Sequence, residues 1–488
     1  MVRDILVDVS FEERRAAILE NDEPVEIFIE TAGRIKLIGN IYRGVIDKVL
    51  PGMQAAFVDI GTGKNAFLYA GDVIPLDCSG ETVKSHERQV KIQDSVKPGQ
   101  VITVQVIKEP IDTKGARVTR NIALPGRNLV LTPYDTGIGV SKKISDAGER
   151  ERLKNLAVQF CPDRMGLIVR TVAEGIEACE MEYDIRYLLD LWRSILEKER
   201  RGSVPGCLYQ EPELVQKLAR DYLNQDIRRF ILNDRMEFDK LMEFLDAVSP
   251  VMKTKVEFFS EDYGLFAFYN VESAIHRALS RKVWLKCGGY VVFDKTEALT
   301  VIDVNTGKFT GRDSQEDTIL KTNLEAAYLI ARQIRLRDIS GIILIDFIDM
   351  KASSHKNQVL AALSEAVKYD RTKVFVLGMT SLGLVEMTRK KVNNPLRQVL
   401  SIACPFCNGE GRVVSPQYYA GKVMRTISDV LLHSSSSEIE VDVHPDVYTV
   451  LYGSWNGCVE KMEQLYRKKI KIIPALRIGY EKVSIREN

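Results

Sequence analysis

Two aspartates close two apolar stretches that have the pattern of β-strands. Asp303 and Asn305 end the stretch that begins at Leu299, and Asp346 follows the apolar residues 342–345. Residues two apart in a strand share a face, so Asp303 and Asn305 point the same way. If the two strands pair in parallel, both aspartates lie at the carboxyl end of the sheet, where α/β proteins place ligands. Two carboxylates with an amide beside them suit Mg²⁺, which takes one or two protein carboxylates plus a phosphate.

This carboxylate pair predicts metal-assisted hydrolysis of a phosphodiester. A bound metal lowers the pKa of water and neutralises charge on the phosphate during the reaction. With only 5 His in 488 residues, acid–base catalysis by histidine is the less plausible route. The alternative is that Asp303 and Asp346 only cap strand ends or pair with Arg335 or Arg337.

Cys404 and Cys407 form a Cys-x-x-Cys motif, whereas the other cysteines stand far apart. Two thiolates on a tight turn make half of a structural zinc site, which needs four ligands. No second pair and no nearby His completes the set within this chain. A thioredoxin-type redox role is the competing interpretation, although the motif lacks the strand and helix context of that role.

Phe57 and Phe67 lie on short strand-like segments bounded by glycine, with Tyr42 and Tyr69 nearby and Lys114 after a long polar stretch. Short strands at this spacing indicate a small β-barrel. Aromatic rings that face outward beside a lysine would stack bases and contact phosphate, as oligonucleotide-binding barrels do. The alternative is that these rings fill the core of the barrel.

An apolar strand over residues 166–169 ends at Arg170 and Thr171. A guanidinium group can bind a terminal phosphate through two hydrogen bonds, and a threonine hydroxyl can add a third. The alternative is that Thr171 and Glu174 form a helix-capping box while Arg170 is a plain surface charge. The pattern alone favours this second interpretation.

The charges of the chain are balanced, with 68 Lys and Arg against 67 Asp and Glu and a formal net charge of +1. This balance tells against binding nucleic acid through a broad basic surface. The basic run at residues 389–391 could contact phosphates, although such runs more often form solvated faces. No apolar run is long enough to span a membrane, and the first residues lack a signal peptide's apolar stretch, so we expect a cytoplasmic protein.

The elements that position these residues change in type along the chain. Residues 5–30 alternate like a short β-meander, and residues 37–108 continue as short strands. Residues 182–199 and 212–245 carry apolar positions at helical spacing. Farther on, two strands, a helix over about residues 316–337 and another strand predict a sheet covered by a crossover helix. The length predicts roughly three domains.

The motifs in the second half resemble those of the ribonuclease E and ribonuclease G family of bacterial endoribonucleases. The match rests on TEALTVIDVN (296–305), TNLEAA (322–327), IARQIRLR (330–337) and IDFIDM (345–350). The resemblance implies a multidomain α/β (α+β) chain. Its parts would be a ribonuclease H-like subdomain (1–37 and 215–279), an inserted OB-fold RNA-binding barrel like the repeats of the ribosomal protein called S-one (38–120), a 5′-sensor region (121–214), a DNase I-like catalytic subdomain (280–400), a zinc-link (401–415) and a small C-terminal domain (416–488).

The resemblance also implies a role for each candidate residue. Asp303 and Asp346 would hold a Mg²⁺ ion that activates the attacking water, and Asn305 would help to orient the reacting groups. The RNA-contacting residues of the barrel would be Phe57, Phe67 and Lys114. The sensor of a 5′-monophosphate would be Arg170 and Thr171, supported by the backbone near Gly126 and Val130. Cys404 and Cys407 would share one Zn²⁺ with the same pair of a second chain, which implies a homodimer or homotetramer.

We therefore expect a single-strand-specific endoribonuclease that cuts AU-rich RNA in rRNA processing and mRNA decay and is stimulated by a 5′-monophosphate end. Its substrates would be rRNA precursors and mRNA, with tRNA precursors as further candidates. The alternative is a non-catalytic RNA-binding or ribosome-assembly factor that uses the barrel alone. The sequence ends at Asn488 without a long charge-rich tail, which favours a ribonuclease G-like member of the family.

Overall fold

The computed structural model describes the chain except for residues 1, 12, 32–35, 74–90, 111–114, 163, 308–314, 406, 408, 410, 477–481 and 488. The predicted RNA contact Lys114 therefore lies outside the described residues. The chain divides into two compact units, Met1–Leu400 and Ser401–Asn488.

Both units contain strands and helices. The described strands are β1 (Arg3–Ser10), β2 (Glu13–Glu20), β3 (Glu23–Thr31), β4 (Ile41–Leu50), β5 (Ala55–Asp59), β6 (Ala66–Tyr69), β7 (Val101–Lys108), β8 (Arg117–Thr119), β9 (Leu124–Pro125), β10 (Leu129–Thr132), β11 (Ile138–Val140), β12 (Gly166–Val169), β13 (Gly206–Tyr209), β14 (Ile227–Leu232), β15 (Val256–Phe258), β16 (Lys282–Trp284), β17 (Tyr290–Lys295), β18 (Leu299–Asn305), β19 (Gly341–Asp346), β20 (Val374–Met379), β21 (Leu384–Arg389), β22 (Glu438–Val443), β23 (Lys469–Pro474) and β24 (Ser484–Glu487). The described α-helices are α1 (Ile92–Ser95), α2 (Ala147–Phe160), α3 (Ala178–Arg201), α4 (Leu214–Tyr222), α5 (Arg235–Val248), α6 (Leu265–Phe268), α7 (Val271–Leu279), α8 (Gln315–Leu336), α9 (Ser353–Ala366), α10 (Leu396–Leu400), α11 (Pro416–His433), α12 (Pro445–Thr449) and α13 (Cys458–Tyr466).

The predicted meander forms three strands of a sheet with the order β15-β14-β1-β2-β3. Both faces of this sheet are covered, because Ile5 and Val7 pack with α4 and α5 while Leu6, between them, packs on the other side with Phe266. The prediction that residues 212–245 are helical throughout is wrong. The segment contains β14, which pairs in parallel with β1. Its neighbouring residues Phe230 and Ile231 are buried on the two opposite faces of the sheet, as in a strand.

The barrel consists of β4, β5, β6, β8 and β7, and it closes because β7 also pairs with β4. Its interior holds aliphatic side chains from every strand together with the ring of Tyr42. Gly44 lies where β4 and β5 approach each other closely, since a Cβ there would meet the carbonyl oxygen of Asp59 at 2.8 Å. A separate sheet, β11-β12-β10-β9, follows and packs against α2 and α3.

The largest sheet of the second half has the order β16-β17-β18-β19-β21-β20. Strands β18 and β19 are parallel and are joined through α8, as the sequence pattern predicts. Helices α8 and α9 cover one face, where Ile302 and Ile345 are buried with Ile330 and Leu363. The opposite face of this sheet carries the polar candidates, so the fold presents them to solvent.

The second unit contains the three-stranded sheet β23-β22-β24. Strand β22 is parallel to β23 and antiparallel to β24. The apolar side of α11, with Val423 and Ile427, packs in the same cluster as Val441 and Ile472 of the sheet. This unit therefore has a hydrophobic core of its own.

Candidate active site

The parallel pairing of β18 and β19 brings the two predicted catalytic aspartates side by side. Asp303 and Asp346 are direct register partners at the carboxyl ends of their strands, and both are exposed. Asn305, two residues beyond Asp303, donates a hydrogen bond from Nδ2 to Oδ2 of Asp303 at 2.7 Å. The structure thus brings together the three residues that the sequence singles out.

No lysine or arginine within the described part of the chain forms an ion pair with either carboxylate. Arg335 binds Glu20 and Glu26, so the alternative in which it pairs with Asp303 or Asp346 is wrong. Arg337 instead donates to Gln333 and stacks on Phe293.

The lack of a basic partner in the ranges that the structure describes affects the ionisation of Asp346. Partial desolvation raises the pKa of the Asp346 carboxyl above its ordinary value, and the negative charges of Asp303 and Asp349 raise it further. A raised carboxyl pKa means that the ionised form destabilises the fold. A cation placed between the two carboxylates would remove this cost.

Mg²⁺ fits this donor set better than zinc does. Over the described ranges, no group of three or more His, Cys, Asp or Glu side chains converges as metal ligands. Zinc sites in proteins need three or four such ligands. Mg²⁺ keeps several waters and binds through one or two carboxylates together with substrate phosphate. Asp303 and Asp346 supply that number of carboxylates.

Helix α8 holds the loops on both sides of the carboxylates. The amide of Asn323, which is fully buried, donates to the carbonyl of Ile348 at 2.8 Å and accepts from its N–H at 3.1 Å. Two residues farther along the helix, the Glu325 carboxylate accepts the backbone N–H groups of Lys286 and Cys287, between β16 and β17. Sequence reasoning missed these two positioning residues, although both stand in the TNLEAA motif.

The predicted aromatic residues of the barrel form a row on its outer surface. Phe57 and Phe67 are register partners on β5 and β6, with ring centroids 6.0 Å apart. Neither ring belongs to the interior cluster, so the alternative that they fill the core is wrong, whereas it is right for Tyr42. Tyr69 extends the row, with its ring 5.7 Å from Phe67 and 45% exposed.

A cation stands at the end of this row. The Arg117 guanidinium lies 5.6 Å from the Tyr69 ring centroid and binds Asp72 at 2.7 Å. Sequence reasoning did not single out Arg117, and it named Tyr69 only as a neighbour. The signal for Tyr69 was available, because it lies two residues after Phe67 on the same strand and therefore on the same face.

Arg170 and Thr171 directly follow β12, and both are engaged by neighbouring elements. The Arg170 guanidinium donates to the carbonyl of Gly126 at 2.6 Å and pairs with Asp221 at 2.8 Å. The Thr171 hydroxyl shares a hydrogen bond of 2.8 Å with Ser141. The capping-box alternative is wrong, because no side chain caps this short 3₁₀ turn, and Arg170 is not a plain surface charge.

The loop from Gly126 to β10 is organised around a buried carboxylate. Asp184 on α3 is 1% exposed and accepts the backbone N–H groups of Arg127, Asn128 and Leu129 at 2.8–3.1 Å. Only glycine fits at position 126, since a Cβ there would lie 2.6 Å from Asp184. Burial raises the pKa of the Asp184 carboxyl, and the three N–H donors oppose that shift.

Val130 belongs to the strand next to this loop. It lies on β10 in register with Ile168 of β12, so its backbone borders the strand that leads to Arg170. Asp221, whose importance the sequence does not reveal, joins this group from α4. Burial alone would raise the pKa of Asp221, but Arg220 and Arg170 together hold it below its ordinary value.

The two cysteines of the motif lie near the start of the second unit. Cys404 is exposed and Cys407 is partly buried. The backbone N–H of Gly411 donates to Sγ of Cys407 at 3.2 Å. Gly409 and Gly411 both have positive φ, at 94° and 74°, which gives the chain the tight turn around the sulfur. The thiolate is the form of cysteine that binds zinc.

The basic run at residues 389–391 is not a uniform phosphate-binding surface. Arg389 is 5% exposed, because its guanidinium binds Asp370 at 2.7 Å and also binds Asp338. Lys390 and Lys391 are exposed. The prediction that this run contacts RNA is therefore wrong for Arg389.

Comparison with known proteins identifies the family. The family model "Ribonuclease E/G family" matches residues 123–392, and "RNase E/G, Thioredoxin-like domain" matches residues 403–488. Ribonuclease G of Escherichia coli K12 is 41% identical over 474 residues, which is 97% of each chain. The chain belongs to the ribonuclease E/G family. Ribonuclease G of Haemophilus influenzae is 40% identical over 96% of each chain, and ribonuclease E of a Nostoc species is 36% identical over 82% of this chain and 57% of its own.

Membership of the ribonuclease E/G family confirms the resemblance that the sequence motifs predict. The chain is thereby a homologue of endoribonucleases. Its multidomain α/β structure contains a β-barrel, and its C-terminal part matches the thioredoxin-like domain of the family. None of the helices that the structure describes is long and apolar enough to cross a membrane.

Proposed function

We propose that this protein is a Mg²⁺-dependent endoribonuclease that cleaves single-stranded RNA at the open face of the β16–β21 sheet. The observation that carries the proposal is the pair Asp303 and Asp346, which are register partners on parallel strands and lack a basic partner among the described residues. Like charges held side by side cost free energy, and a divalent cation removes this cost while creating a binding site for phosphate. Membership of the ribonuclease E/G family supports this reading.

Each residue of the site would have a separate role in the reaction. A bound Mg²⁺ would supply an activated water and neutralise charge on the phosphodiester. Asp303 and Asp346 would hold the ion. Asn305 keeps the Asp303 carboxylate in one orientation through its 2.7 Å hydrogen bond. Attack of water on phosphorus with departure of the 3′ oxygen leaves a 5′-phosphate and a 3′-hydroxyl.

The barrel would hold the strand for cleavage. Phe57, Phe67 and Tyr69 offer three neighbouring rings on which bases can stack, and Arg117 places a cation beside them. Lys114 would contribute a further contact to phosphate or base. Such a platform accepts unpaired bases, which supports single-stranded substrates. The preference for AU-rich RNA, and the choice of rRNA precursors, mRNA and tRNA precursors as substrates, are what the resemblance to the family implies.

A 5′-monophosphate would bind at Arg170 and Thr171. The guanidinium of Arg170 is already oriented by Gly126 and Asp221, so little ordering remains when phosphate binds. The backbone near Gly126 and Val130 would support the site. Stimulation of cleavage by a monophosphorylated end follows if this contact helps to align the strand.

Zinc would link two copies of the chain. Cys404 and Cys407 supply two thiolates, and the same pair of a second chain would complete a tetrahedral site. A homodimer, or a homotetramer built from two such dimers, is the resulting assembly.

The finer architecture is part of the same proposal. The β15-β14-β1-β2-β3 sheet would be a ribonuclease H-like subdomain (1–37 and 215–279), the barrel an S-one-like OB fold (38–120), and the sheet with Asp303 a DNase I-like subdomain (280–400). The sensor region (121–214), zinc-link (401–415) and small C-terminal domain (416–488) complete the division. We place the protein in the cytoplasm, where its RNA substrates are found.

The proposal is tested by cleavage of a 5′-monophosphorylated single-stranded oligoribonucleotide with and without Mg²⁺. Asp303→Asn and Asp346→Asn should each reduce turnover by several orders of magnitude, because each removes a metal-binding charge. Glu365→Gln is the matched control, since it neutralises an exposed carboxylate on α9, which covers the opposite face of the β16–β21 sheet. The control should cleave like the wild type.

Two outcomes would overturn the proposal. Near wild-type turnover by either aspartate variant would remove the metal site from the reaction. RNA binding by the wild type without Mg²⁺-dependent cleavage would instead support the alternative, a non-catalytic RNA-binding or ribosome-assembly factor. Equal rates on monophosphorylated and triphosphorylated substrates would refute the role of Arg170 and Thr171 as a sensor.

A further inference from the structure

A second aromatic platform stands on the sheet that carries the carboxylates. Trp284 on β16 is 59% exposed, and its ring centroid lies 5.4 Å from that of Tyr290 on β17. The Lys282 ammonium lies 4.1 Å from the Trp284 ring centroid and 3.4 Å from that of Tyr290. We call Lys282, Trp284 and Tyr290 the edge platform, because β16 is the edge strand of this sheet.

The edge platform is aligned with the proposed metal site. Tyr290 is the register partner of both Trp284 and Asn305, so these three residues form one row across β16, β17 and β18. Directly paired residues of antiparallel strands project from the same face. Two strand spacings of about 4.8 Å place Trp284 roughly 10 Å from Asn305, a few nucleotides from the bond to be cut.

The edge platform is also held rigidly. The turn between β16 and β17 is closed by the N–H of Leu285 donating to the carbonyl of Gly289 at 2.8 Å. The Glu325 carboxylate fixes the same turn through the N–H groups of Lys286 and Cys287. Rings that are held in place before binding lose little freedom when a base stacks on them.

We propose that the edge platform binds a nucleobase of single-stranded RNA beside the cleavage site, with Lys282 contacting the adjacent phosphate. This inference rests on the proposed function for its substrate class, and it assigns a base contact separate from the barrel row. An exposed indole offers a π-face to any base, and an ammonium group complements the charge of the RNA backbone. The chain would thus contact RNA at the edge platform as well as at the row of rings on the barrel.

A purely structural role makes a different prediction. Cross-strand aromatic pairs stabilise hairpins, and a lysine on an edge strand discourages pairing with other chains. In that case Trp284→Ala would lower thermal stability and affect every substrate equally. The two roles are separated by asking whether the effect of the substitution depends on one particular base.

The experiment uses the full-length chain and 5′-monophosphorylated oligoribonucleotides in which one position at a time is abasic. Trp284→Ala should lower kcat/KM on the intact RNA by about 10- to 100-fold, while Trp284→Phe retains most of the rate because it keeps a stacking ring. One abasic position should lower the wild-type rate by a similar factor and have no effect on Trp284→Ala. Tyr328→Ala is the matched control, since Tyr328 is 56% exposed on α8, which covers the opposite face.

A second measurement separates this inference from the proposed function. RNA should quench tryptophan fluorescence in the wild type, and Trp284→Phe should remove that part of the quench. If the wild type fails to cleave RNA but Trp284 is quenched, the proposed function fails and the edge platform stands. If the enzyme cleaves while Trp284→Ala behaves like the wild type, or loses activity equally on all abasic substrates, the edge platform is refuted. If Trp284→Ala changes the native mass but not RNA binding, the edge platform contacts a second copy of the chain, and the proposal is also refuted.

Discussion

The amide of Asn323 should control the rate of cleavage without touching the RNA. Asn323→Ala removes both hydrogen bonds to Ile348, two residues after Asp346. Each buried backbone group left unsatisfied costs about 1–3 kcal/mol, and water can reach the partly exposed Ile348, so we expect a loss of about 2–4 kcal/mol in stability. The loop that follows β19 would then shift, and a displacement of about 1 Å at a reacting group can lower the rate by about 100-fold.

The assay is kcat, KM and the Mg²⁺ concentration for half-maximal activity, with the thermal midpoint measured on the same preparations. For Asn323→Ala, kcat should fall by at least about tenfold and the Mg²⁺ requirement should rise, whereas KM stays constant because the barrel is unchanged. Thr322→Val is the matched control. The Thr322 side chain is equally buried. Its hydroxyl donates to the carbonyl of Thr318 in its own helix at 2.8 Å and accepts from the Cys287 thiol at 4.0 Å, and neither contact involves the loop after β19. If Asn323→Ala loses stability yet retains the wild-type kcat and Mg²⁺ dependence, the positioning argument is wrong.

Three further predictions follow from the charges and thiolates of the site. Because the pKa of Asp346 is raised, Asp346→Asn should unfold at a higher temperature than the metal-free wild type at neutral pH. This difference in unfolding temperature should shrink as the pH falls through the raised pKa towards 3.8. A lower midpoint of the variant at neutral pH would contradict the prediction. Asp221→Asn should lower both stability and the ratio of rates on monophosphorylated and triphosphorylated RNA, because Arg170 loses the carboxylate that orients it, and an unchanged ratio would argue against that coupling. The double variant Cys404→Ser, Cys407→Ser should lose bound zinc, and its native mass should be half that of the wild type. If removal of zinc from the wild type leaves its native mass unchanged, zinc does not link two chains.

The parts of the site that are local in sequence were predictable. Asp303 and Asp346 each end an apolar run, so each strand follows from residues close together in the chain. The helical pattern between the two strands favours parallel pairing, and the grouping of the carboxylates follows on that condition. The outward direction of Phe57 and Phe67 required the barrel, because a ring on a short strand fits either face. The family resemblance supplied that direction, and the structure supplied the reason, since small aliphatic residues already fill the interior.

The parts that depend on distant partners could not be predicted. Asp184 looks like one polar position on a helix, yet its three N–H donors lie 55–57 residues earlier in the chain. Arg389 stands in a run of basic residues that indicates a solvated face, while its carboxylate partners come from other segments. Strand β14 was missed because apolar residues three and four apart fit a helix, and only the sheet beside it decides otherwise.

Helix α8 connects the sheet that carries Asp303 and Asp346 to the N-terminal sheet. Asn323 binds the loop after β19, and about 18 Å farther along the helix Arg335 binds Glu20 and Glu26. In a chimaera of two relatives, the N-terminal sheet and the sheet with the carboxylates must therefore come from the same protein. A chimaera that joins residues 1–279 of a relative to residues 280–400 of this chain will lose the ion pairs of Arg335, unless the relative also carries acidic residues at the positions of Glu20 and Glu26.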